Sequence, residues 1–155
     1  MYIGSLQYQG DNYHFSASSS QLSACSFEPA NAQDVGIAVR LIGWRILARH
    51  SNSYNQLQIL SKDQTPFAVK SGGYAMVSGF SSTPGVQIAM DLFSDIVYDA
   101  GSQTATVGLG LIWDDVYSEL QNYGVTVIGG KFHGIGVGGV ILGAGKFFSI
   151  VERCW

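Results

Sequence analysis

Val35, Ala38, Val39 and Ile42 recur three and four residues apart, a spacing that predicts an amphipathic helix. Asn31 stands where a cap is needed, Asp34 falls in the first turn where the helix dipole favours an anion, and Gly43 supplies a stop. Trp113, Val116, Tyr117 and Leu120 predict a second such helix, with Asp114 and Asp115 in its first turn and Gly124 at its end. Short apolar runs between turn residues predict strands at Cys25–Pro29, Pro66–Lys70, Val86–Met90, Ile96–Tyr98, Thr104–Leu109 and Val125–Ile128. Pro84-Gly85 and Asp99-Ala-Gly101 read as the turns among them. No repeat of fixed period appears, and the fold class is α+β with strands outnumbering helices.

Two stretches break this pattern. Residues 1–23 are rich in Ser, Gln, Asn and Tyr without a period, and read as an irregular N-terminal segment whose polar groups face solvent and carry little chemistry. Residues 44–64 hold Arg45, Arg49, Lys62 and repeated Ser, Asn and Gln around a short apolar stretch, and read as a surface insertion.

Composition narrows the function. The chain has 155 residues, enough for one ordinary domain, and is 46% hydrophobic but only 12% charged, against about 25% charged in typical soluble domains. Disorder is excluded on that balance. Eight basic against eleven acidic residues, with no Lys/Arg cluster to neutralise a row of phosphates, argue against nucleic acid. Cys25 and Cys154 lie far apart with no His/Cys cluster beside them, so a zinc site has no support. Met1–Asp11 lacks the basic start and apolar stretch of a secretory signal. Phe132–Val151 has the length and mean hydropathy of a membrane span, but His133, Lys146 and its glycines favour a buried, loop-rich segment.

The glycines are the main clue. There are 20 of them, nearly twice the usual share of roughly 7%, crowded toward the C-terminal third. Lys70-Ser-Gly-Gly-Tyr74 and Gly129–Gly139 each follow a predicted strand. Such loops cradle phosphates through inward-turned N–H groups, and glycine serves tight turns and close packing equally well. Gly134, Gly136 and Gly139 satisfy GxGxxG, yet too few residues follow Gly139 for the helix, strand and ribose-binding acid of a Rossmann unit.

The series Thr65-Pro-Phe-Ala-Val-Lys-Ser-Gly-Gly73, Gly79-Phe-Ser-Ser-Thr83, Gly85–Met90, Asp95–Asp99, Gly110–Tyr117 and Gly136-Val-Gly-Gly139, preceded by Cys25–Gly43, resembles the PCMH-type FAD-binding domain of the vanillyl-alcohol-oxidase superfamily. The nearest type is the fungal berberine-bridge-enzyme-like FAD-linked oxidoreductases. The resemblance implies a partial FAD-binding domain over residues 24–145, a divergent tail over 146–155 and no substrate domain in this chain. It implies FAD contacts at Lys70, Ser71, Gly72, Gly73 and Tyr74 of the first loop. In the second it implies Gly130, His133, Gly134, Ile135, Gly136, Val137, Gly138 and Gly139. Family members are often secreted.

Where such proteins carry a flavin-linking histidine after the first loop's glycines, this chain has Tyr74, and where some carry a linking cysteine it has Phe132. FAD is therefore expected to bind non-covalently. The implied activity is hydride transfer from an alcohol, amine or sugar-like substrate to FAD, and on to dioxygen or another acceptor. The alternative is a degenerate flavin-binding or structural module without turnover. No catalytic residue is assigned, and the partners expected are FAD and a small molecule, without nucleic acid or membrane. The isolated chain is expected to be aggregation-prone and inactive alone. Tyr74 either stacks near the isoalloxazine or simply packs, and His133 either reaches the flavin or is a solvated turn residue. Asp114 and Asp115 are explained by the helix dipole alone, and His14 and His50 are expected to lack partners.

Overall fold

The side chain of Asn31 accepts the backbone N–H of Asp34 at 2.9 Å, and the Asp34 carboxylate reaches back to the N–H of Ala30 at 3.2 Å. This reciprocal cap starts the first predicted helix where the sequence placed it. The computed structural model describes residues 5–43 and 65–143. The predicted insertion 44–64, with His50, and the tail 146–155, with Cys154, lie outside the described residues. Along the chain run α1 (Leu6–Asn12), a 3-10 turn (Ala17–Ser19), β1 (Cys25–Phe27), α2 (Ala32–Gly43), β2 (Phe67–Lys70) and β3 (Val86–Ala89). After them come β4 (Ile96–Asp99), β5 (Thr104–Val107), α3 (Trp113–Gln121) and α4 (Val137–Leu142).

β1, β3 and β2 form a parallel sheet in that order, with Cys25 and Phe67 both level with Val86. The central strand has neighbours on both edges, and Gln87, Ile88 and Ala89 are each 0% exposed. Gln87 is tolerated there because its amide donates to Ala68 O and Ser81 O, at 3.3 and 3.1 Å. β4 and β5 form an antiparallel hairpin. Its turn is fixed by Asp99, whose carboxylate accepts the Gly101 N–H and the Ser102 hydroxyl. Those bonds hold the Asp99 carboxyl below its ordinary value.

The second predicted helix, α3, buries Trp113, Val116 and Leu120 with Val137 of α4, against Ile96, Tyr98, Ala105 and Val107 of the hairpin. Full burial of Val116, Leu120 and Val137 contributes about 1.5–3 kcal/mol each, and locks α3 and α4 together. Gly124, at φ +68°, ends the helix as expected.

Three expectations fail. The N-terminal segment is not irregular: Ser5 caps α1 by accepting the Tyr8 N–H at 3.1 Å, and Tyr8, Asp11, Asn12 and His14 are buried. Several of its polar groups have partners: Tyr8 OH on Ser23 O, Asn12 on Tyr8 O and Ser23 N, and His14 Nδ1 on Asn12 O at 3.0 Å. Val125–Ile128 forms no ladder; Val125 and Val127 pack on the α3 cluster, and the Val125 N–H returns to Leu120 O at 3.3 Å. The period of two serves packing there, without pairing. Val137–Leu142, within the stretch expected to be loop-rich, is a helix of 6 residues. No helix among the described residues is long and apolar enough to cross a membrane.

Candidate functional site

The first glycine loop leaves β2 at Lys70, whose side chain turns into the protein. It is buried, and its ammonium lies 3.4 Å from the Asp91 carboxylate. Ser71 follows, donating its hydroxyl to Leu109 O and accepting the Gly138 N–H at 3.2 Å. One serine thus ties the first loop to the second.

The second loop is held on α3. Trp113 N–H donates to Ile135 O and Val137 N–H to Leu111 O, both at 2.9 Å. Asp114 accepts the Gly134 N–H on one carboxylate oxygen and faces His133 Nδ1 on the other, each at 2.8 Å. The Gly134 bond foremost, and then His133, hold the Asp114 carboxyl below its ordinary value. Asp114 therefore does more than complement the helix dipole. Gly130 is pressed on Trp113, where a Cβ would come within 2.6 Å of the indole, and its carbonyl accepts the Tyr117 hydroxyl at 2.9 Å. Burial, and then the charge of Asp114, raise the Tyr117 phenol.

The two loops meet at Gly72 and Gly136. Beside that contact opens a cavity of about 550 Å³, within the range of small-molecule sites, walled by Ser71, Gly72, Gly73, Tyr74, Ile135, Gly136, Gly138 and Gly139. The other sequence-predicted contacts do not line it. Lys70 is on Asp91, Gly130 is under Trp113, His133 is exposed on Asp114, Gly134 is bonded to Asp114, and Val137 is in the α3 cluster.

Val69, Phe80, Met90, Leu109, Val140 and Leu142 complete a largely apolar wall that the sequence reading did not assign. Val69 carried a usable signal: Ala68 and Lys70 are buried in the alternation of β2, while Phe67 and Val69 stand on its other face. The N-terminal segment also reaches the site without a sequence signal. Phe15 N–H donates to Gly73 O at 3.0 Å, and the rings of Phe15 and Tyr74 lie 4.6 Å apart.

Residues 54–149 match the family model described as FAD binding domain. The chain belongs to that family. It is 35% identical over 145 residues to an uncharacterized FAD-linked oxidoreductase of Arthroderma benhamiae, covering 93% of this chain and 26% of that protein. It is 32% identical over 152 residues to the FAD-dependent monooxygenase drtC of Aspergillus calidoustus, covering 97% of this chain and 26% of the relative. Among solved structures it is similar to the xylooligosaccharide oxidase of Myceliophthora thermophila C1 in complex with xylobiose. That likeness has a TM-score of 0.63 at 19% identity, over 90% of this chain and 26% of the oxidase. The fold is that of the PCMH-type FAD-binding domain. The chain spans about a quarter of the length of these relatives.

Proposed function

We propose that this FAD-binding domain holds its cofactor non-covalently in the cavity between the two glycine loops, as the cofactor-binding part of a flavin-dependent oxidoreductase. The observation that carries the reading is the meeting of Gly72 and Gly136 beside an apolar cavity with Tyr74 in its wall. The residues present fit the group. At Gly139, which lines the cavity, a Cβ would meet nothing within 4 Å, so protein packing does not demand the missing side chain. The apolar wall suits a flat heteroaromatic ring, and glycine backbone suits the close approach of a pyrophosphate.

Ser71 to Tyr74 supply the first loop's share of the backbone contacts. In the second loop the N–H groups of Gly134, Val137 and Gly138 already serve Asp114, Leu111 and Ser71, so Ile135, Gly136 and Gly139 contribute chiefly by close approach. The cofactor, when bound, supplies hydride acceptance from an alcohol, amine or sugar-like substrate and reoxidation by dioxygen or another acceptor. This domain contributes binding and orientation.

Non-covalent attachment follows from side-chain chemistry. Tyr74 and Phe132 offer neither the imidazole nor the thiolate that histidyl and cysteinyl links require, and His133 does not line the cavity. Acid precipitation of the FAD-loaded protein tests this directly. All flavin is expected in the supernatant; flavin in the washed pellet, or a flavinylated peptide by mass spectrometry, overturns it.

A further inference from the structure

We propose that Phe15 is a positioning residue for the cofactor site, acting through Tyr74. The inference rests on the reading that the cavity holds FAD. Phe15 does not line the cavity and is 55% exposed, so it is no ordinary core residue. Its backbone is nevertheless held. Asn12 bonds Tyr8 O and Ser23 N at 2.8 and 3.1 Å, and buried His14 bonds Asn12 O. The chain leaving α1 is thereby delivered onto the first glycine loop, where Phe15 N–H meets Gly73 O.

The fit is close. Gly73 has φ +67°, and a Cβ there would lie 3.0 Å from Tyr13 O and 3.5 Å from the Cα of His14. With both backbones fixed, the rings of Phe15 and Tyr74 meet at 4.6 Å with planes tilted by 33°, a favourable aromatic geometry. Tyr74 stands in the cavity wall. A tyrosine there stacks on a planar ring only if its rotamer is held, and Phe15 is the aromatic side chain that holds it. The segment at residues 13–15 thus belongs to the cofactor site although it contributes no wall.

The test is an FAD titration of the full 155-residue chain with two readouts, affinity and the residual fluorescence of bound flavin, which a neighbouring tyrosine quenches by electron transfer. Phe15→Ala keeps the backbone bond to Gly73 and removes only the ring. It is expected to weaken FAD binding about three- to ten-fold and to raise the fluorescence of bound flavin. Phe15→Tyr should restore both, and Phe15→Ala combined with Tyr74→Ala should be no worse than Tyr74→Ala alone. Should Phe15→Ala fail to fold, Phe15→Leu keeps apolar bulk without a ring face and carries the same comparison. Wild-type affinity and fluorescence in the ring-less variant overturn the proposal. So does weakened affinity with unchanged bound fluorescence and no rescue by Phe15→Tyr, since that marks a merely structural role. If the wild-type chain takes up no FAD by any readout, the cavity reading itself falls and this inference with it.

Discussion

A Cβ on Gly72 would lie 2.6 Å from the Cα of Gly136, and one on Gly136 would lie 2.4 Å from the backbone nitrogen of Gly72. The contact is backbone against backbone, so no side chain can swing aside to relieve a substitution. Gly72→Ala and Gly136→Ala should each force the loops apart, with a loss of about 1–3 kcal/mol, the usual range for overpacking. Thermal melting checks this, and the pair should be less than additive because either substitution alone opens the shared contact. Unchanged melting in both single variants would contradict it.

Asp114 is expected to hold the second loop down to low pH. Its carboxyl is depressed from 3.8 by the Gly134 N–H and by His133. A depressed folded value contributes stability that is present above the unfolded value and lost as pH falls through the folded one. The Asp114 contribution should therefore be constant from neutral pH down to about 4 and disappear only below that. Asp114→Ala should increase amide hydrogen exchange at residues 130–136 at neutral pH, and the difference from wild type should close at strongly acid pH. Equal exchange at pH 7 would show that Asp114 does not fasten this loop.

Glu28 has the opposite sign. The carboxyl oxygens of Asp11, Glu28 and Asp91 lie within 4.8 Å of one another, and burial, followed by Asp11, raises the Glu28 carboxyl above 4.5. Its protonated form is favoured by folding, so that contribution is complete below the unfolded value and lost as pH rises through the folded one. At neutral pH the ionised group opposes the fold. Glu28→Gln, which still offers an oxygen to Gln7, should raise Tm at pH 7 and give no gain near pH 4. A lower Tm at pH 7 would contradict this sign.

Local chemistry was legible in the sequence. Asn31 and Asp34 cap α2 within a few residues of one another, and Asp99 closes its turn through its own near neighbours, so neither needs the rest of the fold. The two glycine stretches were also legible, and Ser71–Tyr74 and Ile135–Gly139 do come together, Val137 excepted. What escaped depends on distant partners. α1 has no apolar period, and it is secured by Tyr8 and Asn12 bonding to Ser23, which no spacing rule connects. α4 contains two glycines that disfavour helix, and forms because Val137 is buried in the α3 cluster while Gly138 approaches Ser71. Asp114 looked like a dipole residue because the loop it fastens begins some 20 residues later, at His133 and Gly134.

Binding of FAD in the cavity between the glycine loops can be tested at Gly139. Gly139 lies in α4 with open space at its Cβ position, so a side chain there should leave the fold intact and even favour the helix. The measurement is equilibrium titration of FAD into wild type and Gly139→Leu, followed by flavin absorbance, with melting of both apo proteins as control. Saturable one-to-one binding to wild type is expected, with equal or higher Tm for the variant and at least about a tenfold loss of its FAD affinity, a difference of roughly 1.4 kcal/mol. FAD binding of equal strength to both proteins would place the cofactor outside this cavity.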